Sequence, residues 1–153
     1  WLMMDVRGST VLDCFAGAGS LGFEAASRGA DNVICIEKDK QAATHLTNHC
    51  RLLNADTQVI IKQGDFFKTL ALINDKFSLV FIDPPFNKNL IKPTLTALID
   101  VNCLEDGALV YIEQEATAEF NLLHSDMNHM FTLIKEKFAG QVLAQLYRFN
   151  RAS

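Results

Sequence analysis

The sequence predicts an open α/β fold: a mostly parallel sheet of seven strands, helices on both faces and a C-terminal antiparallel hairpin. Three observations predict it. Apolar runs of strand length alternate with helical segments from Val11 to Glu113, and successive strand–helix units force parallel pairing through right-handed crossovers. A glycine-rich turn, Gly17-Ala18-Gly19-Ser20-Leu21-Gly22, follows the first strand. Finally, Phe131 to Phe138 and Gln141 to Phe149 alternate apolar and polar residues around Ala139-Gly140, the pattern of a β-hairpin.

Each element follows from local chemistry. The strand ending at Val11-Leu12-Asp13 runs into the glycine turn, and Phe23 to Arg28 reads as a helix closed by Gly29. Asn32 to Ile36 is the second strand, with Glu37 at its end. Asp39 is placed to cap a helix from Lys40 to Leu53, whose apolar or small residues recur at Ala42, Ala43, Leu46, Cys50 and Leu53. Thr57 to Lys62 is a β-branched third strand, followed by Gly64-Asp65-Phe66-Phe67 and a short helix through Ile73. Phe77 to Ile82 is a buried parallel strand, ended by Pro84-Pro85, which lack N–H groups. Asn89 to Ile99 reads as a helix with Pro93 tolerated in its first turn, and Gly107 to Glu113 as the fifth strand.

The 153 residues, 49% of them hydrophobic, suit one domain spanning 1–153. No apolar run approaches the ~20 residues of a membrane span, and Trp1-Leu2-Met3-Met4 is too short for a signal peptide. A cytoplasmic location is therefore expected. Cys14, Cys35, Cys50 and Cys103 show no metal-ligand spacing and read as buried thiols. His45 and His49 share a helix face without an evident third ligand, so no metal is expected. The net charge of −4 is low for a nucleic-acid binder.

The corner Asp83-Pro84-Pro85-Phe86 fixes a carboxylate, unpaired carbonyls and an aromatic ring at the carboxyl end of a strand, where open α/β sheets bind ligands. It suits a planar amine whose ring stacks on Phe86. Gly17, Gly19 and Gly22 form G-x-G-x-x-G, and Glu37 is placed to accept both hydroxyls of a ribose. A dinucleotide would satisfy those features, but Asp13 in the first turn would repel a pyrophosphate and suits a cationic ligand end. Hydride transfer has no use for the proline corner. A ligand with ribose, adenine, a cationic amino-acid end and no phosphate is S-adenosylmethionine.

The segments Val11 to Ala30 and Phe81 to Phe86 resemble the Rossmann-like class I S-adenosylmethionine-dependent methyltransferases, and more closely the bacterial guanine-N2 methyltransferases of 16S ribosomal RNA. The resemblance covers nearly the whole chain and implies a methyl transfer that leaves S-adenosylhomocysteine. It implies that Asp13, Phe15, Ala16, Gly17, Gly19, Ser20 and Leu21 hold the cofactor from the first turn. Glu37 and Lys38 follow the second strand; Gly64, Asp65 and Phe66 follow the third, with Asp65 accepting from the adenine amine. Phe66 is expected over the adenine face and Phe67 in the core. Asp83, Pro84, Pro85 and Phe86 are the expected catalytic corner, with Asp83 also touching the cofactor. Glu113 is either part of the site or a solvated strand end.

The implied partner is 16S ribosomal RNA in a 30S subunit or assembly intermediate, bound by a monomer with no membrane association. Family members carry a basic N-terminal extension, whereas this chain opens at Trp1 in what resembles the helix before the first strand. That extension, rather than Lys62, Lys88, Lys92, Arg148 and Arg151, is expected to supply most phosphate contacts. Rival readings are an adenine-N6 or cytosine-N4 methyltransferase, a protein-glutamine methyltransferase and an NAD-binding module.

Overall fold

A computed structural model describes residues 6–17, 19–86 and 88–151, leaving aside the side chain of Ser20. The helix expected at Trp1 lies outside the described residues. The order is β1 (Thr10–Asp13), α1 (Ser20–Ser27), β2 (Asn32–Glu37), α2 (Lys40–Leu52), β3 (Val59–Gln63), α3 (Phe66–Leu70), β4 (Phe77–Ile82), α4 (Ile91–Asp100), β5 (Leu104–Glu115), β6 (Phe131–Ala139) and β7 (Val142–Phe149). The strands form one sheet in the order β3-β2-β1-β4-β5-β7-β6. Strands β1 to β5 pair in parallel, and β7 runs antiparallel between β5 and β6. Strand order reverses between β1 and β4, which places a ligand crevice at their carboxyl ends.

Alternation along the strands divides the core. Leu12, Val80, Ile82 and Ile112 face Leu70, Leu95 and Leu98 of α3 and α4. Val11, Leu79, Phe81 and Tyr111 share the opposite face with Ala25, Leu46 and Cys50 of α1 and α2. Fully burying a side chain such as Leu95 or Leu98 contributes about 1.5–3 kcal/mol. Asp39 caps α2 by accepting from the Ala42 N–H at 2.8 Å, a contact worth about 1 kcal/mol. The four cysteines are buried free thiols. No described helix is long and apolar enough to cross a membrane.

Strand β3 begins at Val59 rather than Thr57 and α4 at Ile91 rather than Asn89, and three further boundaries differ for a local reason. Helix α1 begins at Ser20 rather than Phe23, directly on the glycine turn. Helix α3 stops at Leu70 rather than Ile73, because Leu72 and Ile73 donate only three residues back, to Thr69 and Leu70, in tight turns. Strand β5 starts at Leu104 rather than Gly107: its pairing with β4 jumps from Phe77↔Leu104 to Leu79↔Leu109. Gly107, at φ 83°, sits in that irregularity, so glycine interrupts the strand without beginning it.

Candidate active site

The glycine turn is held from two sides. The Ala16 N–H donates to the Ile36 carbonyl at 2.9 Å, and the Gly19 N–H donates to the Ala16 carbonyl at 2.6 Å. Gly19 has φ 79°, and a Cβ there would strike Leu46 and Phe23. At Gly22 a Cβ would lie 2.7 Å from Cys35 Sγ and 3.4 Å from Asp13 Oδ2, so only glycine lets α1 settle on β1 and β2.

Glu37 joins three loops. Its Oε1 accepts from the Gly17 N–H at 2.8 Å and its Oε2 from the Asp39 N–H at 2.8 Å. Its carbonyl accepts from the Gly64 N–H at 2.9 Å. The glycine turn and the β2–α2 turn are thereby fixed on its carboxylate, and the β3–α3 turn on its backbone carbonyl.

These loops surround a cavity of about 530 Å³. Phe15, Ile36, Phe66 and Phe67 give it apolar surface, while Gly17 and Gly64 bring backbone close. Glu37, Asp65 and Asp83 supply carboxylates, and Lys38 and Lys88 its cationic groups. Of the residues expected around a cofactor, Phe15, Gly17, Glu37, Lys38, Gly64, Asp65, Phe66 and Asp83 line this one space.

Others stand behind it. Asp13, expected against a cationic ligand end, is 1% exposed and lies under the turn rather than on the cavity wall. The reason is alternation: Asp13 pairs with Phe81 and shares the face of β1 that packs beneath α1. Burial pushes its carboxyl up to about 7, with repulsion from Asp83 and Glu37 adding to the rise and the Gly22 and Phe15 N–H groups opposing it. Its Oδ1 has no hydrogen-bond partner among the described residues. Ala16 and Leu21 pack with the core, and Gly19 is buried in the turn. The Ser20 side chain lies outside the described residues.

Two further residues that line the cavity also have structural partners. Asp65 is the N-cap of α3, its Oδ2 accepting from the Lys68 N–H at 3.1 Å, so one of its oxygens already has a structural partner. Phe66, expected over a ligand face, is only 3% exposed and packs 5.3 Å from Phe15. The expected core residue Phe67 is the half-buried one. Opening of α3 immediately after Asp65 turns Phe66 inward toward Phe15.

A second cavity, of about 460 Å³, lies on the other side of Pro84, Pro85 and Leu90, which line both spaces. Phe86 lines this second cavity and is 53% exposed, as a stacking platform would be and a core residue would not. Glu113 is on its wall as well. Tyr111 Oη donates to Glu113 Oε1 at 2.6 Å. Burial, then the Glu113 charge and a side-chain hydrogen bond to it, pushes the Asp83 carboxyl up to about 6. The Tyr111 hydroxyl is pushed up by burial and the same two acids. Glu113 therefore lines the same cavity as Phe86. The available signal was that an acid follows each of two apolar runs, Asp83 after Phe77 to Ile82 and Glu113 after Ala108 to Ile112.

Comparison with known proteins agrees with this geometry. The family described as Conserved hypothetical protein 95 matches residues 1–148. Ribosomal RNA small subunit methyltransferase D of Haemophilus influenzae is 39% identical over 97% of this chain and 76% of its own length. The Escherichia coli protein of the same name is 34% identical over 97% of this chain and 72% of its own. Among solved structures, the Haemophilus influenzae methylase HI0767 has TM-score 0.86 at 36% identity, covering 99% of this chain and 92% of that one. The Escherichia coli methyltransferase yhhF has TM-score 0.87 at 33% identity, covering 96% and 80%. By its matched residues and its sheet, the chain has the class I methyltransferase fold and belongs to the Conserved hypothetical protein 95 family.

Proposed function

We propose that the protein transfers a methyl group from S-adenosylmethionine to the exocyclic N2 amine of a guanine in small-subunit ribosomal RNA. The observation that carries this reading is the pair of cavities separated by the Asp83-Pro84-Pro85-Phe86 corner: one suits a methyl donor, the other a planar acceptor. The names of the relatives support ribosomal RNA as the acceptor.

The residues present fit the donor. Glu37, Asp65 and Asp83 on one cavity suit a ligand with a sulfonium and an ammonium, and Phe15, Ile36 and Phe67 suit its adenine. A dinucleotide pyrophosphate would meet three carboxylates, and the Gly17 N–H it would seek already donates to Glu37. S-adenosylmethionine supplies an electrophilic methyl group on sulfur.

The chain's part is positioning and exclusion of water. The Asp83 carboxylate and the Pro84 carbonyl accept the two amine protons, which reduces delocalisation of the nitrogen lone pair into the ring and aims it across the corner. Phe86 stacks on the base, a contact worth about 1–3 kcal/mol. The prolines hold this geometry because their φ is fixed. Incubating the protein with labelled S-adenosylmethionine and unmodified 16S ribosomal RNA or 30S particles, followed by nucleoside analysis, tests the reading. N2-methylguanosine is expected; label on adenine, cytosine or protein overturns it.

A further inference from the structure

Of the acids lining the acceptor cavity, Glu113, Glu115 and Glu119, Glu113 has its position set by the sheet beside Asp83. Ile82 of β4 pairs with Ile112 of β5, so Asp83 and Glu113 occupy the next rung of neighbouring parallel strands. They project on the face of Phe81 and Tyr111, whose rings meet edge-on at 5.8 Å. The 2.6 Å hydrogen bond from Tyr111 Oη holds Glu113 Oε1 at the cavity wall, beside Pro84 and Phe86. Asp83 on the donor-cavity wall and Glu113 on the acceptor-cavity wall therefore flank the corner where the edge of a base would dock.

Base chemistry discriminates sharply here. Guanine carries a proton on N1 beside its N2 amine, so that edge offers adjacent donors. Adenine and cytosine place a ring-nitrogen lone pair beside their amine, which a carboxylate repels. We propose that Glu113 accepts the N1–H of guanine while Asp83 accepts from the N2 amine, so that this pair, positioned by Tyr111, determines base specificity. The two acids stand close enough for the Glu113 charge to help raise the Asp83 carboxyl. The two N–H groups of guanine offset the repulsion between the two acids.

The inference rests on the guanine-N2 reading above, and 2-aminopurine separates the two. This base keeps the N2 amine and lacks the N1 proton. The nucleotide methylated by the wild-type protein is mapped first, and guanine or 2-aminopurine is then placed there in ligated 16S ribosomal RNA. The wild type should prefer guanine in kcat/KM by about 10²-fold or more, since sites built to hydrogen-bond a group reject an analogue lacking it by up to about 10⁴–10⁵-fold. In Glu113→Gln the amide can turn an N–H toward the bare N1, and the preference should fall about 10-fold or more. Tyr111→Phe, which keeps the packed ring, should lower it in the same direction by a smaller factor. Differences in intrinsic amine reactivity cancel when the ratios are compared. An unchanged ratio in both variants, with guanine N2 still methylated by the wild type, overturns the role of Glu113 alone. Wild-type methylation at any other atom overturns the parent reading and this inference together.

Discussion

Replacing Asp83 by Asn should make the protein more stable and much less active, and the two effects come from the same burial. Lifting the Asp83 carboxyl from 3.8 to about 6 corresponds to about 3 kcal/mol; solvent screening at this half-buried position reduces that to about 1–2 kcal/mol. An acid whose native pKa is raised binds its proton more tightly when folded. Its contribution is therefore favourable below about 4 and is lost as pH rises to about 6. The charged groups facing it are Glu113 from β5 and Asp13 from β1, with the Tyr111 hydroxyl alongside. Asp83→Asn removes the ionisation, so at pH 7 its melting temperature should exceed wild type by roughly 3–6 °C, with the gap closing toward pH 4. Methyl transfer should fall on the order of 10²-fold or more, as when one preorganised contact to a transition state is removed. Calorimetric melting between pH 4 and 8, with single-turnover methylation at pH 7.5, measures both. A fully active Asn variant would remove Asp83 from amine positioning, and a pH-independent stability difference would refute the account of its buried charge.

Three further outcomes are expected. Glu37→Ala should weaken S-adenosylmethionine binding by about 1.5–3 kcal/mol in calorimetry, and because it releases the Gly17 and Asp39 N–H groups it should also lower the melting temperature; unchanged affinity would refute it. Phe86→Ala should leave the melting temperature near wild type, since the ring is 53% exposed, while raising the RNA KM about 5- to 100-fold; Phe86→Tyr should retain much activity, and a large loss of stability in the Ala variant would count against stacking. Gly22→Ala should destabilise by about 1–3 kcal/mol through overpacking against Cys35 Sγ, and adding Cys35→Ala should restore part of it in denaturant titration.

The alternation of strand and helix, the cap at Asp39 and the hairpin were legible because each depends on neighbours in sequence. So was the proline corner, whose rigidity is local. Side-chain depth was less legible. The sequence put Asp13 in the turn, but its burial beneath α1 depends on which face of β1 that helix covers. Phe66 and Phe67 are adjacent and chemically alike, and only the direction in which α3 departs from Asp65 decides which is buried. Glu113 was ambiguous for a similar reason: its meaning lies in the register between β4 and β5, a long-range relation that strand propensity does not encode.

The shared wall of Pro84, Pro85 and Leu90 also bears on the order of events. Two chambers that meet at rigid residues hold their occupants in different places, so neither occupant takes the space the other needs. Under the proposed function competition then stays compartmental: a nucleoside blocking the acceptor chamber should leave the donor chamber free to load. The partition thereby permits a random-order kinetic scheme, and remodelling of one chamber toward a new base can proceed with the other left as it is.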